Sequence, residues 1–148
     1  MPSGPILKVV CHYPEMPLPS RGHPGDAGLD LTAMAVTEVR PGVFSVDTGL
    51  SVQPPPGFYC EVVARSSIVH GDFILANAVG VIDPDYRGRV LILLRHLGAG
   101  SGVEQAQALK GKRVAQLLLR RLELAEVQVV AELDITARGA GGFGSTGA

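Results

Sequence analysis

Cysteine is scarce in this chain. Cys11 and Cys60 are the only two, too few for a disulfide framework and without the spacing of a metal knot. The four histidines, His12, His23, His70 and His96, are scattered and form no HExxH pattern, which argues against a zinc enzyme. Any metal that takes part is then a hard, oxygen-liganded ion that arrives with a substrate. An excess of charge of one sign is also missing: 13 Lys and Arg stand against 14 Asp and Glu, a net charge of -1. No broad basic field exists to grip a phosphate backbone, so nucleic acid is not an expected partner, and Arg120-Arg121 is only a local basic spot. Apolar runs last only a few residues, which leaves no segment to span a bilayer and no membrane partner. Met1–Val10 lacks a basic start followed by a long apolar stretch, so no secretory leader is read there. The expected location is intracellular: the cytoplasm, or the nucleus or a host cell if the source is eukaryotic or viral.

What is present suits one β-rich domain. The 148 residues match a common domain size, and 46% hydrophobic residues suffice for a core. There are 19 Gly and 11 Pro, about one residue in five, and such punctuation favours short strands and turns. Tyr13–Gly25, with its prolines and glycines, reads as an extended lead-in or a loop. Strands are expected over Leu29–Ala35, Val43–Val52, Tyr59–Val63, Phe73–Ala78, Arg89–His96, Arg113–Leu122 and Glu126–Val130. Val103–Lys110 reads as helix or strand. The expected fold is all-β, a jelly-roll-like sandwich or barrel with at most one short helix. The body is residues 1–137. Residues 138–148, rich in glycine, form a flexible arm.

Five short segments could carry chemistry. In Gly25–Leu31 (GDAGLDL), Gly28 allows a tight turn and Asp30 points opposite to Leu29 and Leu31; a solvated aspartate is the plain alternative. In Ala64–Ile68 (ARSSI), an arginine and two hydroxyls can bind a phosphate, and Ser66 or Ser67 can equally cap a short helix. Asn77–Gly88 (NAVGVIDPDYRG) reads as a hairpin or tight return that gathers two carboxylates, a ring and an arginine, the kit for a general base beside a ring-binding surface. In Gly111–Leu117 (GKRVAQL), Gln116 is a lone amide on an apolar strand and needs a partner. The tail Arg138–Gly147 (RGAGGFGSTG) formally contains GxGxxG, but no helix follows to receive a phosphate, so no dinucleotide fold is implied. Its arginine, its phenylalanine and its glycine-freed N–H groups suit closure over an anionic, ring-containing ligand.

In this order and at these spacings, AGLDL, RSS, GVIDPDYRG, GKRVAQL and RGAGGFGSTG resemble the motifs of the deoxyuridine triphosphate nucleotidohydrolases, the dUTPases. The resemblance spans most of the chain. It implies a homotrimer with active sites shared between subunits, Mg²⁺ on the triphosphate, and cleavage of dUTP to dUMP and pyrophosphate, which keeps uracil out of DNA and supplies dUMP for thymidylate synthesis. Asp83 matches the general base, and Tyr86 the ring beneath the deoxyribose. Asn77, Gly80, Val81 and Ile82 match the segment that reads uracil, largely through backbone groups. Arg65, Ser66, Ser67 and Gln116 match positions around the phosphates, and Asp30 a residue near the water shell of the metal. Arg138, Phe143, Gly144 and Ser145 match the closing arm. The competing readings are a dCTP deaminase-like relative, which the complete arm disfavours, and a dUTPase-fold binding protein that has lost turnover, which would be expected to lack Asp83, Tyr86 or the arm.

Overall fold

A computed structural model describes residues 4–144. Its strands are β1 (Lys8–Cys11), β2 (Leu29–Thr32), β3 (Ala35–Arg40), β4 (Val43–Asp47), β5 (Leu50–Gln53), β6 (Phe58–Ala64), β7 (Phe73–Leu75), β8 (Gly80–Ile82), β9 (Leu91–His96) and β10 (Arg113–Arg121). Two four-stranded antiparallel sheets, in the orders β2-β10-β6-β8 and β3-β4-β9-β7, are accompanied by the pair β1-β5. Alternation along the strands sends Leu31, Cys60, Val62, Ala115 and Leu117 inward from one sheet and Val36, Phe44, Val46, Ile92 and Leu94 from the other. These meet in one core, the expected all-β sandwich. Phe44 and Phe73 meet edge to face within it, with ring centroids 6.1 Å apart.

Four local outcomes differ from the sequence expectations. The run Val43–Val52 is two strands, because Gly49 takes a left-handed φ of 72° and its N–H donates to Asp47 Oδ1 at 2.7 Å. That turn moves the chain from the β9 edge to the β1 edge. Asn77–Gly88 is not a hairpin: β8 pairs with β6, while the following strand β9 pairs with β4 and β7 in the other sheet. Glu126–Val130 forms no strand and stands in solvent with its neighbours, so its β-branched residues have no edge to pair with. Both β1 and β3 form where no strand was expected; every residue of β1 is exposed, and its pairing with β5 is what defines it. Val103–Gln107 is a short helix, α1, which settles that segment.

Candidate active site

One group of candidate residues gathers where β2, β10 and the end of β6 lie side by side. The register sets Gln116 opposite Asp30 on one side and Val63 on the other. Asp30 Oδ1 accepts from Arg65 Nε at 2.8 Å and Asp30 Oδ2 accepts from Arg113 Nη1 at 2.9 Å. Arg65 Nη1 also donates to the Arg113 carbonyl at 3.3 Å and reaches Ser67 Oγ at 3.5 Å. Gln116 Nε2 donates to the Ala64 carbonyl at 3.1 Å, the partner that a strand amide requires. A side chain at Gly28 would collide with that of Gln116, so glycine is what lets the two backbones close here. Ser66 and Ser67 are exposed in a 3-10 helix, Ser66–His70. Arg65 occupies the cap position and makes no side-chain cap bond, so neither serine caps this helix and both hydroxyls face solvent. Arg65 and Arg113 flank a single carboxylate, leaving a positive end suited to a polyphosphate.

A second group surrounds a cavity of about 200 Å³ beside β8. Asn77, Gly80, Val81, Ile82, Asp83 and Tyr86 line it, with Val62, Val90 and Leu91 as apolar wall. Ala78 adopts a φ of 59°, which lets the chain turn sharply between Asn77 and β8. Asp83 is exposed at the mouth, where the Pro84-Asp85 turn begins and where Tyr86 N–H donates to its carbonyl at 3.1 Å. The Tyr86 ring folds over Gly88, and its hydroxyl donates to the Arg89 carbonyl at 3.0 Å. An exposed carboxylate thus stands beside a hollow of about 200 Å³.

The two groups do not meet within one chain. Ile82 pairs with Cys60, so Asp83 lies near Tyr59, about 20 Å along β6 from Arg65 at ~3.3 Å per residue. Asp30 is displaced sideways as well, by three strand spacings or roughly 14 Å. The tail is a third, separate group. Residues 123–144 form no strand, Phe143 is fully exposed, and Arg138 Nε donates to the nearby Gly141 carbonyl at 2.8 Å. Ser145 lies outside the described residues. Arg113 received no role from the sequence although it stands in GKRVAQL. It stands opposite Thr32, from where its guanidinium reaches Asp30, and that register is something only the fold supplies.

The family model described as dUTPase matches residues 14–147. The chain belongs to the dUTPase family. Among its relatives, a deoxyuridine 5'-triphosphate nucleotidohydrolase of Corynebacterium jeikeium is 42% identical, covering 95% of this chain and 92% of the relative. Proteins of the same name from Wolinella succinogenes and Corynebacterium glutamicum are 41% and 38% identical, each over 95% of this chain and 93% and 94% of theirs. A solved dUTPase mutant of Staphylococcus bacteriophage 80alpha, with dUpNHpp, superposes with a TM-score of 0.79 at 22% identity, covering 97% of this chain and 99% of the other. That likeness fixes the fold as the jelly-roll-like one of the dUTPases.

The dUTPase family implies Mg²⁺, and the donor set bears on how it is held. Among the described residues, no cluster of three or more His, Cys, Asp or Glu could hold a metal ion. Asp30 is the one carboxylate within the cationic end, and both its oxygens already accept guanidinium hydrogen bonds. Its remaining lone pairs can take a water's hydrogen but are poor ligands for a bare divalent ion. These residues fit an ion carried by phosphate oxygens and water.

Proposed function

We propose that the chain hydrolyses dUTP to dUMP and pyrophosphate, with Mg²⁺ entering on the triphosphate. The observation that carries this reading is the exposed carboxylate of Asp83 at the mouth of a ring-sized cavity floored by Tyr86. Uracil enters the cavity, where backbone groups of Gly80–Ile82 and the Asn77 side chain are at hand to read its edge. A site that donates to the uracil O4 rejects cytosine, whose amino group would leave that donor unpaired. Asp83 accepts a proton from water as its oxygen bonds to the α-phosphorus. The bridging bond to the β-phosphate breaks, and its electron pair leaves with pyrophosphate. Arg65, Ser66, Ser67 and Gln116 bind the phosphate chain, and Asp30 holds Arg65 in place and would accept from a water of the ion's shell. Mg²⁺ arriving on the triphosphate would supply neutralisation of the charge that grows on the leaving group.

The working unit is a homotrimer with shared sites. What supports this is the separation of the cavity group, the cationic group and the tail within one chain, each chemically incomplete. Residues 1–137 are the body. Residues 138–148 are the arm proposed to close a site, with Arg138 on the terminal phosphate, Phe143 over the base, and Gly144 and Ser145 among the substrate-binding residues. An intracellular setting follows from the substrate, a deoxynucleoside triphosphate. Among the described residues no helix is long and apolar enough to cross a membrane.

The test is incubation with Mg²⁺ and dUTP, dCTP or UTP in parallel, following pyrophosphate and the nucleotide products. Pyrophosphate and dUMP from dUTP alone are expected. Deoxyuridine products from dCTP would move the reading to a deaminase, and inertness of folded protein toward all three would leave a binding module.

A further inference from the structure

We propose that Asp47, Arg89 and Tyr13 form a brace that holds the Tyr86 ring rigid and so sets how strictly the site rejects a ribonucleotide. The inference rests on the reading of Tyr86 as the floor beneath the sugar. Tyr86 is 44% exposed, so packing holds its ring only in part. Its ring lies over Gly88, and its hydroxyl is tethered to one acceptor, the carbonyl of Arg89, at 3.0 Å. The position of the ring therefore depends on the position of residue 89.

The Arg89 side chain is held from two sides. Arg89 Nη1 donates to Asp47 Oδ2 at 2.6 Å. Its guanidinium lies over the Tyr13 ring, 5.4 Å from the centroid, and the Tyr13 hydroxyl donates to the same Asp47 oxygen at 3.3 Å. The next residue is clamped as well: Thr48 Oγ1 donates to the Val90 carbonyl at 2.8 Å, and Val90 N–H donates to the Leu50 carbonyl at 2.8 Å. Asp47 is itself oriented, since its other oxygen accepts Gly49 N–H. The brace thus ties the loop after Asp83 to the turn between β4 and β5, in the opposite sheet, and takes Tyr13 from the lead-in segment.

Rigidity matters because an added hydroxyl is intrinsically hard to exclude. A pocket that can yield discriminates against one only weakly, because the wall moves back rather than clashing. A ring whose tether is pinned retreats only by giving up its bond to the Arg89 carbonyl or by moving residue 89 against its brace. The brace makes no contact with the reacting atoms, so these three are positioning residues.

The experiment compares kcat/KM for dUTP and UTP in the full-length protein and in Arg89→Met, Asp47→Asn and Arg89→Lys, with circular dichroism to establish folding. Arg89→Met keeps the aliphatic stem, and Asp47→Asn keeps the acceptor for Gly49 N–H. In both, the dUTP-to-UTP ratio is expected to fall on the order of tenfold, chiefly because UTP is used better. Arg89→Lys retains the charge pair and is expected to keep most of the ratio. Folded variants whose ratio stays within about twofold of the unmodified protein would overturn the brace, as would equal losses on both nucleotides, the mark of a merely structural role. Tyr13→Phe removes only the hydroxyl and serves should the charge variants not fold; an unchanged ratio there, with the others unfolded, would also overturn it. An unmodified protein that splits dUTP and UTP equally well would instead overturn the reading of Tyr86, a separate failure.

Discussion

Asp83, the base in the proposed reaction, stands exposed at a turn with the cavity on one side. Removing its charge while keeping its shape should therefore spare binding. Asp83→Asn is expected to lower kcat by about a thousandfold or more while dUTP still binds, measured by steady-state kinetics and calorimetry. Retained turnover would take Asp83 out of the base role. Cys60 is a quieter residue with a definite consequence. It is wholly buried on β6, and burial pushes its thiol up to about 11, whereas Cys11 is exposed. One thiol should react with Ellman's reagent in the native protein and the second only on unfolding; two fast equivalents would contradict the core placement. The sign of the linkage follows. Below the ordinary thiol value of 9.0 both states hold the proton, and above it the unfolded state loses it first. Stability from this group is full below pH 9 and declines toward about 11. Tyr59 moves in the same direction, because its hydroxyl donates to Glu61 Oε1 at 2.6 Å and the phenol is held above its usual value. Urea midpoints should fall as pH rises through this range.

Strands were legible where side-chain pattern alone decides and illegible where a neighbour decides. Arg113–Leu122 reads as a strand from composition and is one, since Ala115 and Leu117 face the core and Gln116 faces away. By contrast, Lys8–Cys11 shows no inward face, and Glu126–Val130 looks like a strand yet has no partner edge. The break inside Val43–Val52 was written in Gly49, but a lone glycine in an apolar run marks a bulge, a close approach or a turn with equal force. The fold chooses among them: Gly49 holds a positive φ and packs its α-carbon against Tyr13. Gly49→Ala should cost about 2 kcal/mol or more, from left-handed strain together with the ring contact. Gly42 has the same φ of 72° and open space around it, so Gly42→Ala should lose only about 1 kcal/mol. Thermal melts of the two variants measure the difference. Equal losses would mean that the Tyr13 contact adds nothing to the turn between β4 and β5.

The chemistry-bearing segments were legible one by one, yet their grouping was not, because sequence order says nothing of strand order. Asp30, Arg65 and Gln116 converge because β2, β10 and β6 are neighbours, and Asp83 is excluded because β8 lies on the far side of β6. The tail adds a second signal. Leu124, Val127, Val129, Leu133 and Ile135 are 86 to 101% exposed, an apolar series that a lone chain leaves in water. Such surface calls for cover, and another copy of the chain can offer both the cover and the missing part of each site. This arrangement has a quantitative consequence. Asp83→Asn lacks the base, and a chain ending at residue 137 lacks the arm, so each alone should be nearly inactive. Co-refolded in equal amounts, they should regain activity, because a site that draws its base from one subunit and its arm from another can receive both intact parts. Random assembly gives such sites roughly a quarter of the time, so activity near that fraction of the unmodified enzyme is expected. If one chain supplied both parts of a site, every site would carry one defect or the other and mixing would restore nothing.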